Sequence, residues 1–332
     1  MLHLTERGDW HQQRFRAAAP SGITLIQRRP SLDPDWRSSL ADVDVVVSER
    51  NVPVDAGAID SARCLRLIVR LGSLAHDIAI DSAVRRGIVV SRQPVALCAA
   101  CAEHALMLML AVKRRLPELA RLATEGDPDR PPRVTDEDTF AFNWLGRTDL
   151  GCIAGSRICL LGMGEIGVEL ARRLRAFGSE VVRYVKRNRY PSAVETELGI
   201  TWSPLDAALG GSDILVNLLP WSPETHRLLD ADRLALLPAG AALVQVGSGG
   251  TLDEADLLAA LASGAMSGAA LDTFEWEPLP ADHPLAIAGR NPASGVLLTP
   301  HVAAVGRDNS PERDWDEVER FLRREPLRHR IT

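Results

Sequence analysis

The chain has 332 residues, which exceeds the size of most single hydrophobic cores and predicts two domains. It is 46% hydrophobic and 25% charged with 5% aromatic residues, a composition that is typical of soluble globular proteins and excludes collagen-like, disordered and disulfide-scaffold classes. A formal charge of -6 gives no general attraction to phosphate backbones or anionic lipid, so we expect neither nucleic acid nor a membrane as a partner.

The N-terminus lacks the basic and apolar segments of a secretory signal, and no stretch approaches roughly 18 apolar residues, the longest being 105–112. We therefore expect a cytoplasmic protein. Its five cysteines suit a reducing compartment. Cys98 and Cys101 form a C-x-x-C pair, but no second pair or spaced histidines accompany them, so we expect a packing role and no metal site.

The first part of the chain alternates short β-branched runs with helical stretches, which predicts a small α/β domain. Its strands are expected to be buried and parallel, at residues 23–26, 43–47, 65–69 and 87–90. A helix rich in Ala, Leu and Met follows at 99–116 and is long enough to connect two domains. The stretch 124–151 predicts a long loop into the second domain, because it contains Asp127, Pro128, Pro131 and Pro132.

A second α/β domain begins with a strand, helix and strand predicted at 157–161, 165–177 and 180–185. Further strands are expected at 214–218, 242–246, 269–271 and 296–298, and a further helix at 253–263. This alternation is typical of a doubly wound sheet. A polar helix around 315–324 is expected to return to the first domain.

A G-x-G-x-x-G motif follows the strand at 157–161 and opens the next helix; its residues are Gly162, Met163, Gly164, Glu165, Ile166 and Gly167. In this context the first glycine allows a tight turn, the second lets a pyrophosphate approach the backbone, and the third lets helix and strand pack closely. The free N–H groups and partial positive charge of the helix N-terminus favour the anion. The motif therefore predicts a dinucleotide site.

The residues after the second strand of this domain indicate which dinucleotide is bound. An NAD site places a carboxylate there, about 20 residues beyond the glycines, to bind the ribose hydroxyls. Here the strand is followed by Lys186, Arg187, Asn188 and Arg189. Such cations would hold a 2′-phosphate, so we predict NADP, with NAD as the alternative and a solvated loop face as the simpler interpretation.

Further motifs occur in order along most of the chain. Besides the glycine motif they are Arg70 to Ser73, Cys101 to His104, the segment 219–225, Leu271 to Phe274, Glu277 to Pro280, and Thr299 to His301. In this order and spacing they resemble the D-isomer-specific 2-hydroxyacid dehydrogenases, the family of phosphoglycerate dehydrogenases and glyoxylate/hydroxypyruvate reductases.

This resemblance implies an α/β protein with a Rossmann domain at residues 104–301 and a flavodoxin-like substrate-binding domain built from residues 1–103 and 302–332. It implies an NAD(P)-dependent oxidoreductase that acts on a small-molecule substrate and usually forms a homodimer through its Rossmann domains. By the same resemblance, Asp272 would lie near the nicotinamide and contribute to cofactor binding.

In the family, a histidine of the Thr-Pro-His motif is the acid/base partner of the substrate, and a glutamate before a proline hydrogen-bonds it. Those positions are His301 and Glu277 here. A carboxylate beside an imidazole favours its protonated form and fixes its tautomer, which keeps a transferable proton available. The resemblance therefore implies a catalytic dyad.

The third catalytic position departs from the family. Members carry an arginine in an Asn-x-x-Arg-Gly segment, whereas this chain has Ser248 before Gly249. An arginine fork binds a 2-keto acid through two charged hydrogen bonds of roughly 1.5–3 kcal/mol each, so its loss would cost about 3–6 kcal/mol. We expect weakened or redirected catalysis, on a substrate without the usual carboxylate or on one that another cation binds.

A glycine loop of the first domain also departs from the family, in which its backbone N–H groups receive the substrate carboxylate. The matching residues are Gly72, Ser73, Leu74, Ala75 and His76. Leu74 replaces a glycine, and its Cβ restricts the backbone. Either His76 or Arg70 could supply a replacement cation, and the sequence leaves that choice open.

The leading hypothesis is an oxidoreductase that moves hydride between NADP(H) and a small 2-hydroxy or 2-keto acid or a related carbonyl compound, with His301 as proton donor. The alternative is a catalytically impaired dinucleotide-binding sensor of the same fold. An intact glycine motif beside an incomplete set of catalytic residues would also fit that alternative.

Overall fold

The computed structural model describes residues 1–49, 52–126, 131–138, 142–306 and 310–332. Its contacts divide the chain into two compact units. The first unit comprises Met1–Ala99 and Val305–Thr332, and the second comprises Ala100–Ala304.

Strands and helices alternate along both units. The strands are β1 (Leu2–Leu4), β2 (Ile26–Arg28), β3 (Val45–Glu49), β4 (Leu67–Leu71), β5 (Val89–Gln93), β6 (Arg157–Leu161), β7 (Val181–Val185), β8 (Thr201–Trp202), β9 (Ile214–Asn217), β10 (Ala241–Gln245), β11 (Met266–Leu271) and β12 (Val296–Leu298). The helices are α1 (Asp9–Ala17), α2 (Ala56–Ser61), α3 (Ile80–Arg85), α4 (Ala96–Lys113), α5 (Leu116–Glu125), α6 (Glu165–Leu174), α7 (Ser192–Leu198), α8 (Leu205–Gly210), α9 (Ala231–Leu234), α10 (Glu254–Ala262), α11 (Pro284–Arg290) and α12 (Asp316–Leu322).

The first unit contains a parallel sheet in the order β2-β1-β3-β4-β5, which is the flavodoxin-like order. Each of its four predicted strands begins two or three residues later than expected. The apolar runs begin at residues that precede the strands, such as Val43 and Leu65. The strands themselves continue further, through Arg70 and Arg92, whose backbones pair in the sheet. Strand β1 could not be predicted from the sequence, because three residues are too few to show a period.

The second unit contains a parallel sheet in the order β12-β11-β10-β9-β6-β7-β8. Counted from β6, the order is 3-2-1-4-5-6 with one added strand, which is the Rossmann arrangement. The predicted strands β6 and β12 are correct to the residue, and the others differ by one to three residues at an end. Both sheets confirm the predicted α/β class.

The connecting helix differs from its prediction. The helix expected at 99–116 is α4, and a second helix, α5, follows Arg115, whose φ is +48°. The expected loop therefore begins only after α5. Asp127 and Pro128 lie outside the described residues, and the described parts of 131–151 contain no helix or strand.

Helix α4 also corrects the expectation that no apolar stretch is long enough to cross a membrane. By length and composition alone it could do so, as could the core helix of many soluble proteins. Seven of its apolar residues are buried within the protein: Cys101, Ala102, Ala105, Leu108, Met109, Ala111 and Val112. Burial also raises the pKa of the Cys101 thiol to about 11, which disfavours the reactive thiolate.

Candidate active site

Every sequence-predicted site residue of the second unit, Glu277 excepted, follows the carboxyl end of a strand within a few residues. The glycine motif follows β6, Lys186 and Arg187 follow β7, Ser248 follows β10, Asp272 follows β11, and His301 follows β12. In a parallel sheet these ends share one edge, which is where open α/β sheets bind ligands.

The glycine motif has the geometry of a phosphate-binding turn. Gly162 has a φ of +92°, and a Cβ there would lie 3.0 Å from the carbonyl carbon of Leu218, so only glycine fits. A Cβ on Gly167 would lie 2.8 Å from Met163 Sδ. At Gly164, the N-cap of α6, an added Cβ meets no atom within 4 Å. The helix N-terminus therefore has open space before it, and these residues fit a dinucleotide pyrophosphate.

Of the cations after β7, Lys186 lies against the glycine motif. Its ammonium donates to the Met163 carbonyl at 3.1 Å and to the Tyr190 hydroxyl at 3.2 Å. The side chain of Arg187 is 82% exposed, with its guanidinium 3.7 Å from the Glu224 carboxylate. Lys186 is therefore bound to the backbone of the turn that would hold the cofactor, and the Arg187 guanidinium is exposed to solvent.

Arg189 belongs to an internal ion pair. Its Nη2 lies 2.6 Å and its Nε lies 2.9 Å from the two carboxylate oxygens of Glu195, which also accepts the Tyr184 hydroxyl at 2.8 Å. The pKa of Glu195 is lowered, chiefly by the hydrogen bond from Arg189. Arg189 therefore stabilises the β7 and α7 region.

Buried amides hold the loop after β10. The side-chain amide of Asn217 donates to Gln245 Oε1 at 2.7 Å and to Thr251 Oγ1 at 2.8 Å. Gln245 Nε2 donates to the Ser248 carbonyl at 2.9 Å. A Cβ on Gly249 would lie 1.9 Å from the Phe274 carbonyl, so this loop packs directly on the segment after β11.

The Ser248 side chain takes part in this loop packing. Its hydroxyl accepts the backbone N–H of Trp221 at 3.0 Å, which links the loop after β10 to the loop after β9. The nearby Arg227 is paired with Asp253 at 3.3 Å and Glu275 at 3.1 Å. Ser248 therefore places a neutral hydroxyl where the family resemblance implies a guanidinium.

His301 and Glu277 are in contact. Nδ1 of His301 lies 2.6 Å from Oε2 of Glu277. Because a carboxylate only accepts hydrogen bonds, Nδ1 carries a proton, and Nε2 is the ring nitrogen available for proton transfer. Oε1 of Glu277 accepts the Phe274 N–H at 3.0 Å, which fixes the carboxylate. The His301 side chain is 56% exposed, so its ring is accessible.

Asp272 is fully buried, and its carboxylate binds the segment that carries His301. It accepts the N–H groups of Val302 at 3.0 Å and Ala303 at 2.8 Å. Nε2 of His104 lies 3.3 Å from Oδ1 of Asp272, a contact that was not predicted from the sequence. The sequence signal for this contact was a histidine in the mostly apolar helix α4.

The loop after β4 in the first unit contains the predicted substrate-binding residues. Ser73 and Leu74 are buried, whereas His76 is exposed, and Gly72 has a φ of +147°. Arg70 is 4% exposed and lies 2.9 Å from Asp77, so it serves an internal ion pair. This pairing disfavours Arg70 as the replacement cation, and substrate binding by Gly72, Ser73, Leu74 and His76 stays a prediction.

Comparison with known proteins gives consistent matches. Residues 106–303 match the family model described as D-isomer specific 2-hydroxyacid dehydrogenase, NAD binding domain. The chain is 33% identical over 300 residues to a glyoxylate reductase of Thermococcus kodakarensis, covering 87% of this chain and 85% of that protein. It is 31% identical over 268 residues to a D-3-phosphoglycerate dehydrogenase of Archaeoglobus fulgidus, covering 80% of this chain and 46% of that protein. A solved glyoxylate reductase from Paecilomyes thermophila has a TM-score of 0.56 and 25% identity, over 100% of this chain and 98% of that one.

Proposed function

Because the chain belongs to the D-isomer-specific 2-hydroxyacid dehydrogenase family, we propose that it interconverts a small 2-hydroxy acid, or a related alcohol, and its carbonyl form with NADP(H). NAD(P)-dependent chemistry at a CH–OH group follows from membership. We propose, beyond family membership, the preference for NADP, the roles of single residues and the class of substrate. The observation that carries it is the 2.6 Å contact between His301 and Glu277 at the sheet edge that also bears the glycine motif.

We assign cofactor binding to the second unit and substrate binding to the first. The N-terminus of α6 and residues 162–167 would hold the pyrophosphate, since Gly164 leaves room for it. Lys186 and Arg187 would bind a 2′-phosphate, and no carboxylate at 186–189 would repel it. Asp272 would lie near the nicotinamide.

When bound, the nicotinamide supplies or accepts the hydride at the substrate carbon. The task of His301 is the proton: in reduction its Nε2–H protonates the carbonyl oxygen, and in oxidation the neutral Nε2 takes the hydroxyl proton. Glu277 holds the Nδ1 proton and orients the ring. Each turnover in the direction of reduction therefore yields one hydroxyl group and leaves the imidazole neutral until water restores its proton.

Ser248 sets the substrate range in this proposal. A neutral hydroxyl that already accepts the Trp221 N–H cannot form an ion pair with a substrate carboxylate. We therefore expect slow turnover of glyoxylate and hydroxypyruvate and faster turnover of an uncharged aldehyde or ketone. The same observation favours the second candidate, a cofactor-binding protein of this fold with little turnover.

The test measures cofactor binding and turnover separately. Titration with NADPH and with NADH, followed by nicotinamide fluorescence, reports binding and preference. A panel of 2-keto acids, aldehydes, ketones and phosphonates, followed by loss of nicotinamide absorbance, reports turnover. Binding with turnover supports the enzyme, binding without turnover supports the sensor, and no binding of either coenzyme overturns both. Size-exclusion chromatography with light scattering tests the homodimer expected from the family.

A further inference from the structure

His301 has a backbone conformation that needs support. Its φ of +50° lies in the left-handed region, which costs a residue other than glycine about 1–3 kcal/mol and persists only where the surroundings hold it. Its own N–H donates to the Thr299 carbonyl at 3.0 Å, so the chain turns tightly here. This conformation sets the direction in which the imidazole leaves the backbone. The groups that hold the flanking residues therefore decide where the ring lies.

A single buried carboxylate binds both flanks of His301. On the preceding side, Asp272 Oδ1 accepts the hydroxyl of Thr299 at 2.5 Å. On the following side, the carboxylate accepts the N–H groups of Val302 and Ala303, at 3.0 and 2.8 Å. Because Asp272 is fully buried, water does not compete for these bonds. The carboxylate thus ties the whole turn to the end of β11.

His104 completes this arrangement from helix α4. Its Nε2 lies 3.0 Å from Thr299 Oγ1 and 3.3 Å from Asp272 Oδ1. The only hydroxyl proton of Thr299 is directed to Asp272, so Thr299 Oγ1 accepts from His104. Nε2 of His104 therefore carries a proton and orients the Thr299 hydroxyl towards the carboxylate. The His104 side chain is 14% exposed, so its hydrogen bonds are largely shielded from solvent.

We propose that His104, Thr299 and Asp272 form a positioning cluster that holds the turn around His301 and so keeps its Nδ1–H directed at Glu277. None of the three transfers the proton in this role. The proposal rests on the proposed function only in taking His301 as the acid/base; the geometry of the cluster is independent of the substrate.

A positioning role and a merely structural role predict different results. If the cluster only stabilises the fold, removing one of its hydrogen bonds lowers the free energy of unfolding and leaves the bond between His301 and Glu277 unchanged. If it positions His301, the loss also weakens that bond. A direct readout is the NMR signal of the His301 Nδ1–H in protein with isotope-labelled histidine, identified by its disappearance in His301→Asn.

The matched variants are Thr299→Val, which keeps the shape and removes the hydroxyl, and Thr299→Ser, which keeps the hydroxyl. We expect Thr299→Val to shift the His301 Nδ1–H signal upfield and to speed its exchange with water, whereas Thr299→Ser stays close to wild type. In turnover assays, Thr299→Val should lower kcat by about 10–100-fold with the Kd for NADPH unchanged, since small misplacements of a reacting group have effects of this size. Its pH profile should also shift, because the hydrogen bond between the imidazole and Glu277 is weakened.

A second pair repeats the test from helix α4. His104→Gln keeps an N–H donor, and His104→Phe removes it, so only His104→Phe should alter the His301 signal. If Thr299→Val does not fold, this pair of variants tests whether the cluster positions His301. An unchanged His301 signal and pH profile in folded Thr299→Val and His104→Phe overturns the proposal. If the wild type turns over no substrate, the proposed function fails, and the NMR comparison still decides the role of the cluster.

Discussion

The imidazole of His301 and the carboxylate of Glu277 share a hydrogen bond of 2.6 Å between Nδ1 and Oε2. Glu277→Gln keeps the shape and removes the charge, so the imidazolium that donates the proton loses its stabilising partner. We expect kcat to fall by about 10–100-fold, since general acid catalysis contributes on the order of 100-fold or more, with the Kd for NADPH unchanged.

Glu275→Gln is the matched control for that variant, because Glu275 lies two residues away and pairs with Arg227 instead. Stopped-flow absorbance of the nicotinamide measures both variants. Equal rates for Glu277→Gln and wild type would show that the pair does not act in proton transfer.

Two glycines of the turn after β6 should respond differently to alanine. Gly164→Ala places a methyl group in open space, so we expect unchanged thermal unfolding and NADPH binding weaker by about 10-fold or more, because the methyl group takes the place of the pyrophosphate. Gly162→Ala adds strain at a φ of +92° and should lower the melting temperature as well. Calorimetry of unfolding and of binding separates the two effects, and full NADPH affinity in Gly164→Ala would contradict the site.

Arg187 should carry much of the preference for NADP. Arg187→Gln removes a charged hydrogen bond to the 2′-phosphate, worth about 1.5–3 kcal/mol, and should weaken NADPH binding by about 10–100-fold while NADH binding stays near wild type. Arg189→Gln is the control, because Arg189 is paired with Glu195 and its loss should affect stability more than cofactor choice. Equal effects of Arg187→Gln on both coenzymes would contradict this assignment.

Ser248→Arg should restore the carboxylate clamp. We expect kcat/KM for glyoxylate to rise by about 10-fold or more, because a guanidinium can form two charged hydrogen bonds with the 2-keto acid. Ser248→Ala is the control: like Ser248→Arg it loses the hydrogen bond from the Trp221 N–H, but it adds no guanidinium. Wild type that already reduces glyoxylate at rates ordinary for an enzyme would refute the role given to Ser248.

Asp314 should make the stability of the first unit depend on pH. Burial, with repulsion from Glu49, raises the pKa of Asp314 from 3.8 to about 6, against opposing effects of Arg7, Arg14 and Arg313. Below about pH 3, well under the unfolded pKa of 3.8, the carboxyl is protonated in both states and its burial costs no ionisation energy. As pH rises towards 6 the unfolded state ionises first, so the folded state loses up to about 3 kcal/mol.

Asp314→Asn should therefore unfold at higher urea than wild type at pH 7, with the difference vanishing near pH 3. Asp316→Asn serves as a control in the same segment. A difference in the urea midpoint that stays constant across this pH range would show that Asp314 does not titrate as described.

Much of the architecture could be predicted from local pattern. The apolar runs at β6 and β12 are correct to the residue, and the glycine motif lies at the expected turn. Strand ends were less predictable where polar residues such as Arg70 and Arg92 continue the ladder, because backbone pairing does not depend on side-chain polarity.

The sequence by itself determined two parallel α/β sheets, the dinucleotide turn and, through resemblance, the residues of the dyad. Only the tertiary structure decided which charged and polar side chains are already engaged: Arg70 with Asp77, Arg189 with Glu195, and Ser248 with Trp221. It also brought His104 to Thr299, 195 residues further along the chain. These hydrogen-bond partners are brought together by the packing of helices and strands that are distant in the sequence. The spacing of the residues along the chain does not determine that geometry.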